Sequence, residues 1–136
     1  MSRSGYVDDL DPQVLNLYRG TVARTIKSKR GQAFLRELAA AMDAMPEKAL
    51  IASELINDEG DCCTIGVICK ARGIDVSQID YEDPESVGKA VGIARQMAAE
   101  IEYENDECGW RYGRGDETPE EKWQRMRAWV EKHIDQ

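Results

Sequence analysis

The sequence predicts a mainly α-helical, compact single domain of four to five helices. Apolar residues recur at spacings of three and four in four separate stretches. Three of those stretches open on a capping residue followed by proline: Asp11-Pro12, Asp83-Pro84 and Thr118-Pro119. Short apolar runs near 49–68 break the helical pattern and leave an α+β alternative open, with a short hairpin in that stretch. The length, 136 residues, fits one domain. Residues 1–10 are polar and read as a flexible N-terminal segment, and 11–136 as the globular domain.

The first helix opens at Asp11-Pro12 and buries Tyr18, Val22 and Ile26, with Leu15 on the same face. Lys27, Lys29 and Arg30 place positive charge at its C-terminal end, and Gly31 is expected to break it. A second helix over about 32–45 buries Phe34, Leu38, Met42 and Met45, with Ala39 to Ala41 adding propensity. Pro46 stops it. From Lys48 to Lys70, two apolar runs flank the turn-rich acidic segment Asn57-Asp58-Glu59-Gly60-Asp61. That pattern suits a hairpin or a helix-loop-helix. Ala71-Arg72-Gly73 reads as a helix end with a glycine cap. Val87, Val91, Ala94, Ala98 and Ile101 predict one amphipathic helix from Asp83 to about Tyr103. Asn105 to Gly115 reads as a loop. Thr118-Pro119-Glu120-Glu121 is a capping box for a last helix to about His133. Trp123, Met126, Val130 and Ile134 mark its buried stripe, and Glu121 stands four residues before Arg125. The Val87–Ile101 stripe or the last helix would supply the seam of a homodimer.

Apolar residues make up 42% and charged residues 32%, which is a globular composition. No stretch is long and apolar enough to span a bilayer. Met1 to Tyr6 lacks the apolar core of a secretory leader, so a cytoplasmic location and reduced thiols at Cys62, Cys63, Cys69 and Cys108 are expected. The net charge of −8 lacks the basic excess of a typical nucleic-acid binder. The charge is segregated. Residues 1–30 carry six Lys/Arg against three acids, and residues 51–86 carry nine acids against two basic residues.

Reactive constellations are weak. Four cysteines without a C-x-x-C and one histidine do not match structural zinc spacing, and buried thiols are the plainer reading. A cysteine nucleophile would need His133, which reads as an exposed last-turn residue. Glu100, Glu104 and Asp106 form a carboxylate cluster that could hold a cation but reads as a solvated face. Asp58, Glu59 and Asp61 do not fit a calcium loop. Phosphate-loop, dinucleotide and serine-hydrolase motifs are absent from the sequence. No catalytic residue, metal or cofactor is therefore expected. The candidate binding residues are Asp58, Glu59, Asp61, Asp80, Glu82 and Asp83 as an acidic face. Trp110 and Tyr112 join them as aromatic contacts on a glycine-rich loop. For nucleic acid they are Arg24, Lys27, Lys29 and Arg30.

Several segments carry a resemblance. Ser2-Arg3-Ser4-Gly5-Tyr6, Arg30-Gly31-Gln32-Ala33-Phe34-Leu35-Arg36-Glu37 and Lys70-Ala71-Arg72-Gly73-Ile74-Asp75 are three of them. Tyr103-Glu104-Asn105-Asp106-Glu107 and Glu117-Thr118-Pro119-Glu120-Glu121-Lys122-Trp123 complete the set. Together they resemble a family of uncharacterised phage and prophage proteins of proteobacteria. The resemblance implies a phage gene product acting in a bacterial host cell and transfers no activity. The doubled Cys62-Cys63 departs from the single cysteine that the family shows there. The expected function is a non-catalytic accessory protein that binds a host protein with a basic surface. An acidic inhibitor of a host nucleic-acid-handling or CRISPR-type defence complex is the specific form. The alternatives are a small nucleic-acid binder using the basic N-terminal helix, or a metal- or thiol-dependent module.

Overall fold

Six α-helices form among the described residues of the computed structural model, which cover 12–106 and 117–135. They are α1 (Pro12–Lys27), α2 (Lys29–Asp43), α3 (Thr64–Arg72), α4 (Pro84–Val91), α5 (Arg95–Asp106) and α6 (Pro119–His133). A single 3-10 turn, Val76–Gln78, lies between α3 and α4. Leu35, Leu38 and Met42 of α2 meet Ile65 and Ile68 of α3, Ile101 of α5, and Met126 and Val130 of α6 in one core. The mainly helical class therefore holds.

The α+β alternative does not. Among the described residues there is no strand, only one isolated antiparallel bridge between Ile56 and Cys62. The run Thr64–Cys69 is buried on every side, so its unbroken apolar character belongs to a core helix. Cys63 opens α3, its Sγ accepting from the Gly66 amide at 3.4 Å.

Two boundaries differ from expectation, and glycine is the reason in each. Gly31 does not break a helix. Ser28 caps α2, its Oγ accepting from the Gly31 amide at 3.0 Å. A Cβ at Gly31 would lie 2.1 Å from the Thr25 carbonyl oxygen. The glycine thus lets α2 start hard against the end of α1, and Lys29 and Arg30 fall in the first turn of α2. The single helix expected from Asp83 to Tyr103 is split at Gly92, whose φ of 81° caps α4 in the left-handed region.

The stripes proposed as a dimer seam are consumed by the core: Val87, Ile101, Met126 and Val130 are each 0% exposed. Gln32, also buried, ties three chain segments together. Its Nε2 donates to Ile26 O at 2.8 Å and His133 O at 2.9 Å, and its Oε1 accepts from Asp135 N at 2.8 Å. The expected Glu121–Arg125 pair is replaced. Glu121 closes the capping box on Thr118, and Arg125 binds Glu117 at 2.7 Å and Glu104 O at 2.6 Å.

Three carboxylates with basic partners are held below their ordinary range, and hydrogen bonds from Ser77 lower Asp75 as well. Burial alone would raise Glu117, but Arg125 and Lys122 outweigh it. The Arg72 hydrogen bonds lower Glu37, and those of Arg127 lower Asp43. A folded pKa below the unfolded value gives stability that is present above the unfolded pKa and lost as pH falls through the folded one. The thermal midpoint is expected to drop as pH falls below about 4. Combining Glu37→Gln, Asp43→Asn and Glu117→Gln should flatten that slope, which a melting series across pH would read.

Candidate protein-binding surface

The acidic loops are fixed from the C-terminal end of α5. Asn105 is buried, and its Oδ1 accepts from Thr64 N at 3.1 Å and Thr64 Oγ1 at 2.7 Å. Its Nδ2 donates to Ile51 O at 2.9 Å and to Asp106 Oδ1 at 2.7 Å. Asp106 then accepts from Ser53 N at 3.2 Å and from the Tyr81 hydroxyl. Ser53 has a φ of 68°, a left-handed conformation that non-glycine residues adopt at a cost. Two neighbouring residues of one helix thus anchor both segments that carry the acidic residues, 51–61 and 75–85.

Asp58, Glu59 and Asp61 occupy a turn that the Asn57 side chain holds. Its Oδ1 accepts from Glu59 N at 3.0 Å and from Asp61 N at 2.9 Å. Asp80 accepts from Glu82 N at 3.0 Å, and Asp83 caps α4 through Glu85 N at 3.1 Å. Asp80 and Asp83 therefore have structural work of their own. All six predicted acidic residues are exposed, as are Glu54, Asp75 and Glu85. Among the described residues none of Glu54, Asp58, Glu59, Asp61, Asp75, Asp80, Asp83 or Glu85 is in an ion pair. Trp110 and Tyr112 lie outside the described residues, as does the segment 1–10.

An open groove of about 490 Å³ runs beside the 57–61 turn. One wall is the end of α2 with Ala41, Ala44 and Met45, continued by Pro46 and Ala49. The other is α3 with Val67 and Ala71. Glu47 and Asp61 stand at its rim. Lys70 also lines it and donates to Gly60 O at 3.0 Å, tying the turn to α3. Sequence reasoning missed this groove and Glu47, because alanines carry no signal until two helices bring them face to face.

The three described thiols lie in the core. Cys62, Cys63 and Cys69 are buried and free. Burial pushes the Cys63 thiol far up, with Asp106 and Glu102 adding to it. Burial, then the neighbouring Cys62, pushes Cys69 up to about 11. Burial raises Cys62 as well, against Lys70. In a Cys108→Ser background these three should resist maleimide at neutral pH and react together on adding denaturant. Fast labelling of the native chain, followed by mass spectrometry, would contradict this. His133 is half-buried, with its ring 4.3 Å from that of Trp129 and Nδ1 2.8 Å from Trp129 O. Its expected exposure therefore does not hold. Glu100, Glu104 and Asp106 are half-buried rather than a solvated face. Among the described residues no three His, Cys, Asp or Glu side chains converge as metal ligands.

In comparisons with known proteins, no protein-family model, curated protein or solved structure matches the chain. No described helix is long and apolar enough to cross a membrane.

The basic residues form a second surface. Arg24, Lys27, Lys29 and Arg30 are exposed, and none is in an ion pair among the described residues. Arg24 Nη2 donates to Thr21 Oγ1 at 3.0 Å. Arg24 and Arg30 line a cleft of about 240 Å³ with Thr21, Ser28 and Ala94. Neither α1 nor α2 has an acidic residue in its first turn.

Proposed function

We propose that this chain is a non-catalytic binding protein whose acidic loops engage a basic surface on a host protein. The observation that carries the reading is that Asp58, Glu59, Asp61, Asp80 and Asp83 are exposed and form no ion pair among the described residues, on two segments tied to one anchor at Asn105 and Asp106. Charges held in place attract a complementary partner without the cost of ordering the loops on binding. A phage or prophage setting rests on the resemblance alone. A nucleic-acid-handling or CRISPR-type defence complex is one partner class that would offer such a basic surface. The test is affinity capture from bacterial lysate by the native chain and by a variant combining Asp58→Asn, Glu59→Gln and Asp61→Asn. These positions leave the Asp80 turn and the Asp83 cap intact. A protein retained at low salt by the native chain, and lost both by the variant and at high salt, supports the reading. Equal retention by both chains overturns it.

A second reading has its own observation. Lys29 and Arg30 sit in the first turn of α2, where the helix dipole disfavours positive charge, and an anion beside them would relieve that. A polyanion such as nucleic acid would lie along Arg24, Lys27, Lys29 and Arg30. Oligonucleotide binding that weakens steeply with salt and disappears in Lys29→Glu with Arg30→Glu supports it. Binding indifferent to both changes removes it.

A further inference from the structure

We infer that the groove between α2 and α3 receives an amphipathic helix of the partner, with its apolar face on the alanine walls and its Lys or Arg residues against Glu47, Asp58, Glu59 and Asp61. The inference rests on the acidic-surface reading and adds to it the form of the ligand. The groove's two walls come from different parts of the chain. Ala44 and Ala71 are exposed on opposite walls, Ala41 is half-buried, and the buried Val67 and Cys62 also line the groove. Side chains that small let another helix approach closely. The groove is open, mostly apolar and bordered by helices, which is the form of helix-in-groove recognition.

Charge selects the occupant. Glu47 stands on one wall and Asp61 at the end formed by the turn, with Asp58 and Glu59 next along the chain. Among the described residues Lys70 is the one cation lining the groove, and its ammonium donates to Gly60 O. An acidic or neutral helix would bring no charge to complement this rim. A basic helix joins both features in one ligand, burying leucine-sized side chains between the walls while its cations meet the carboxylates.

The test uses the full chain and two synthetic peptides of roughly 18 residues, long enough to form a helix on binding. One has Leu at helical spacing on one face and Lys elsewhere. The other has the same composition scrambled, so that charge is equal and the apolar face is lost. Fluorescence anisotropy is expected to show the amphipathic peptide binding about tenfold tighter, the effect of burying one leucine. Ala44→Trp and, separately, Ala71→Trp fill the groove from exposed positions. Each should abolish that difference and leave the weak, salt-sensitive binding of the scrambled peptide. Circular dichroism checks that each variant is folded. Equal binding of both peptides, or an advantage untouched by both tryptophans, overturns the groove while the acidic reading stands. An uncharged amphipathic peptide that binds as well as the basic one overturns the choice of a basic helix. Failure of both basic peptides to bind overturns the acidic reading and the inference with it.

Discussion

Gly66→Ala is expected to destabilise the chain by at least about 3 kcal/mol, a large share of a domain's stability. The position sits in the first turn of α3 beneath the incoming 51–56 segment. A Cβ there would lie 1.9 Å from the Leu55 carbonyl oxygen, 2.8 Å from its carbon and 3.2 Å from Cys62 Cβ. The Leu55 carbonyl cannot simply step aside, because it accepts the Cys63 amide at 3.0 Å. Moving it opens the start of α3, and moving α3 opens a core in which Ile65 and Ile68 are 1% and 0% exposed. Helix propensity alone would favour alanine at this position. Gly20→Ala is the control. Gly20 also lies inside a helix, but the nearest atom to its added Cβ is Arg24 Nη1 at 3.5 Å. That variant should gain about 0.5–1 kcal/mol. Urea midpoints of the two variants decide the matter. A Gly66→Ala chain with the native midpoint would mean that the 51–56 segment does not sit on α3.

Local chemistry explains which parts of the fold were legible. Proline after a capping residue fixed the starts of α4 and α6 within the sequence, because these signals act over three or four residues. The stripe Trp123, Met126, Val130 and Ile134 likewise needs only the helical period. Gly31 and Gly92 show the limit. Both interrupt a helical pattern, yet one lies inside a helix at a close crossing and the other ends a helix in the left-handed region. Only the position of the neighbouring backbone separates the two. The 63–72 stretch was ambiguous for a related reason: a short run of Ile, Val and Cys carries no periodicity when every face is buried.

The candidate site divides in the same way. Clustered carboxylates near 58–61 and 80–83 are visible as composition. Their anchoring is not, since Asn105 reaches 41 residues back to Thr64 and 54 back to Ile51. The groove is less visible still, being two alanine-bearing helix faces separated by more than twenty residues of sequence. The basic residues of α2 tell a different story. Lys29 and Arg30 were expected to complement the end of α1, and the Ser28 cap moves them into α2, where the same physical argument reverses sign.

Asn105→Ala is expected to cost about 3–5 kcal/mol and to release the acidic loops together. Thr64 N, Thr64 Oγ1 and Ile51 O would lose the Asn105 partner in the protein interior, and orphaned buried groups cost about 1–3 kcal/mol each. Loss of the Nδ2 bond also removes one of the hydrogen bonds that position Asp106, whose carboxylate holds Ser53 and Tyr81. Hydrogen exchange should therefore rise at 51–53 and near Tyr81 in the same variant, and binding to a basic partner should weaken. Asn105→Asp separates the donor from the acceptor. The carboxylate can still accept from Thr64, but it has no proton for Ile51 O and stands beside Asp106. Burial and that neighbour raise its folded pKa above the unfolded value. A protonated carboxyl regains the donor, so this variant gains stability as pH falls through the raised pKa, opposite in sign to the Glu117 contribution. Denaturation midpoints at neutral pH and near about pH 5 should converge toward the native chain only for Asn105→Asp. An Asn105→Asp chain that tracks Asn105→Ala at both values would show that the Ile51 bond does not hold the loop.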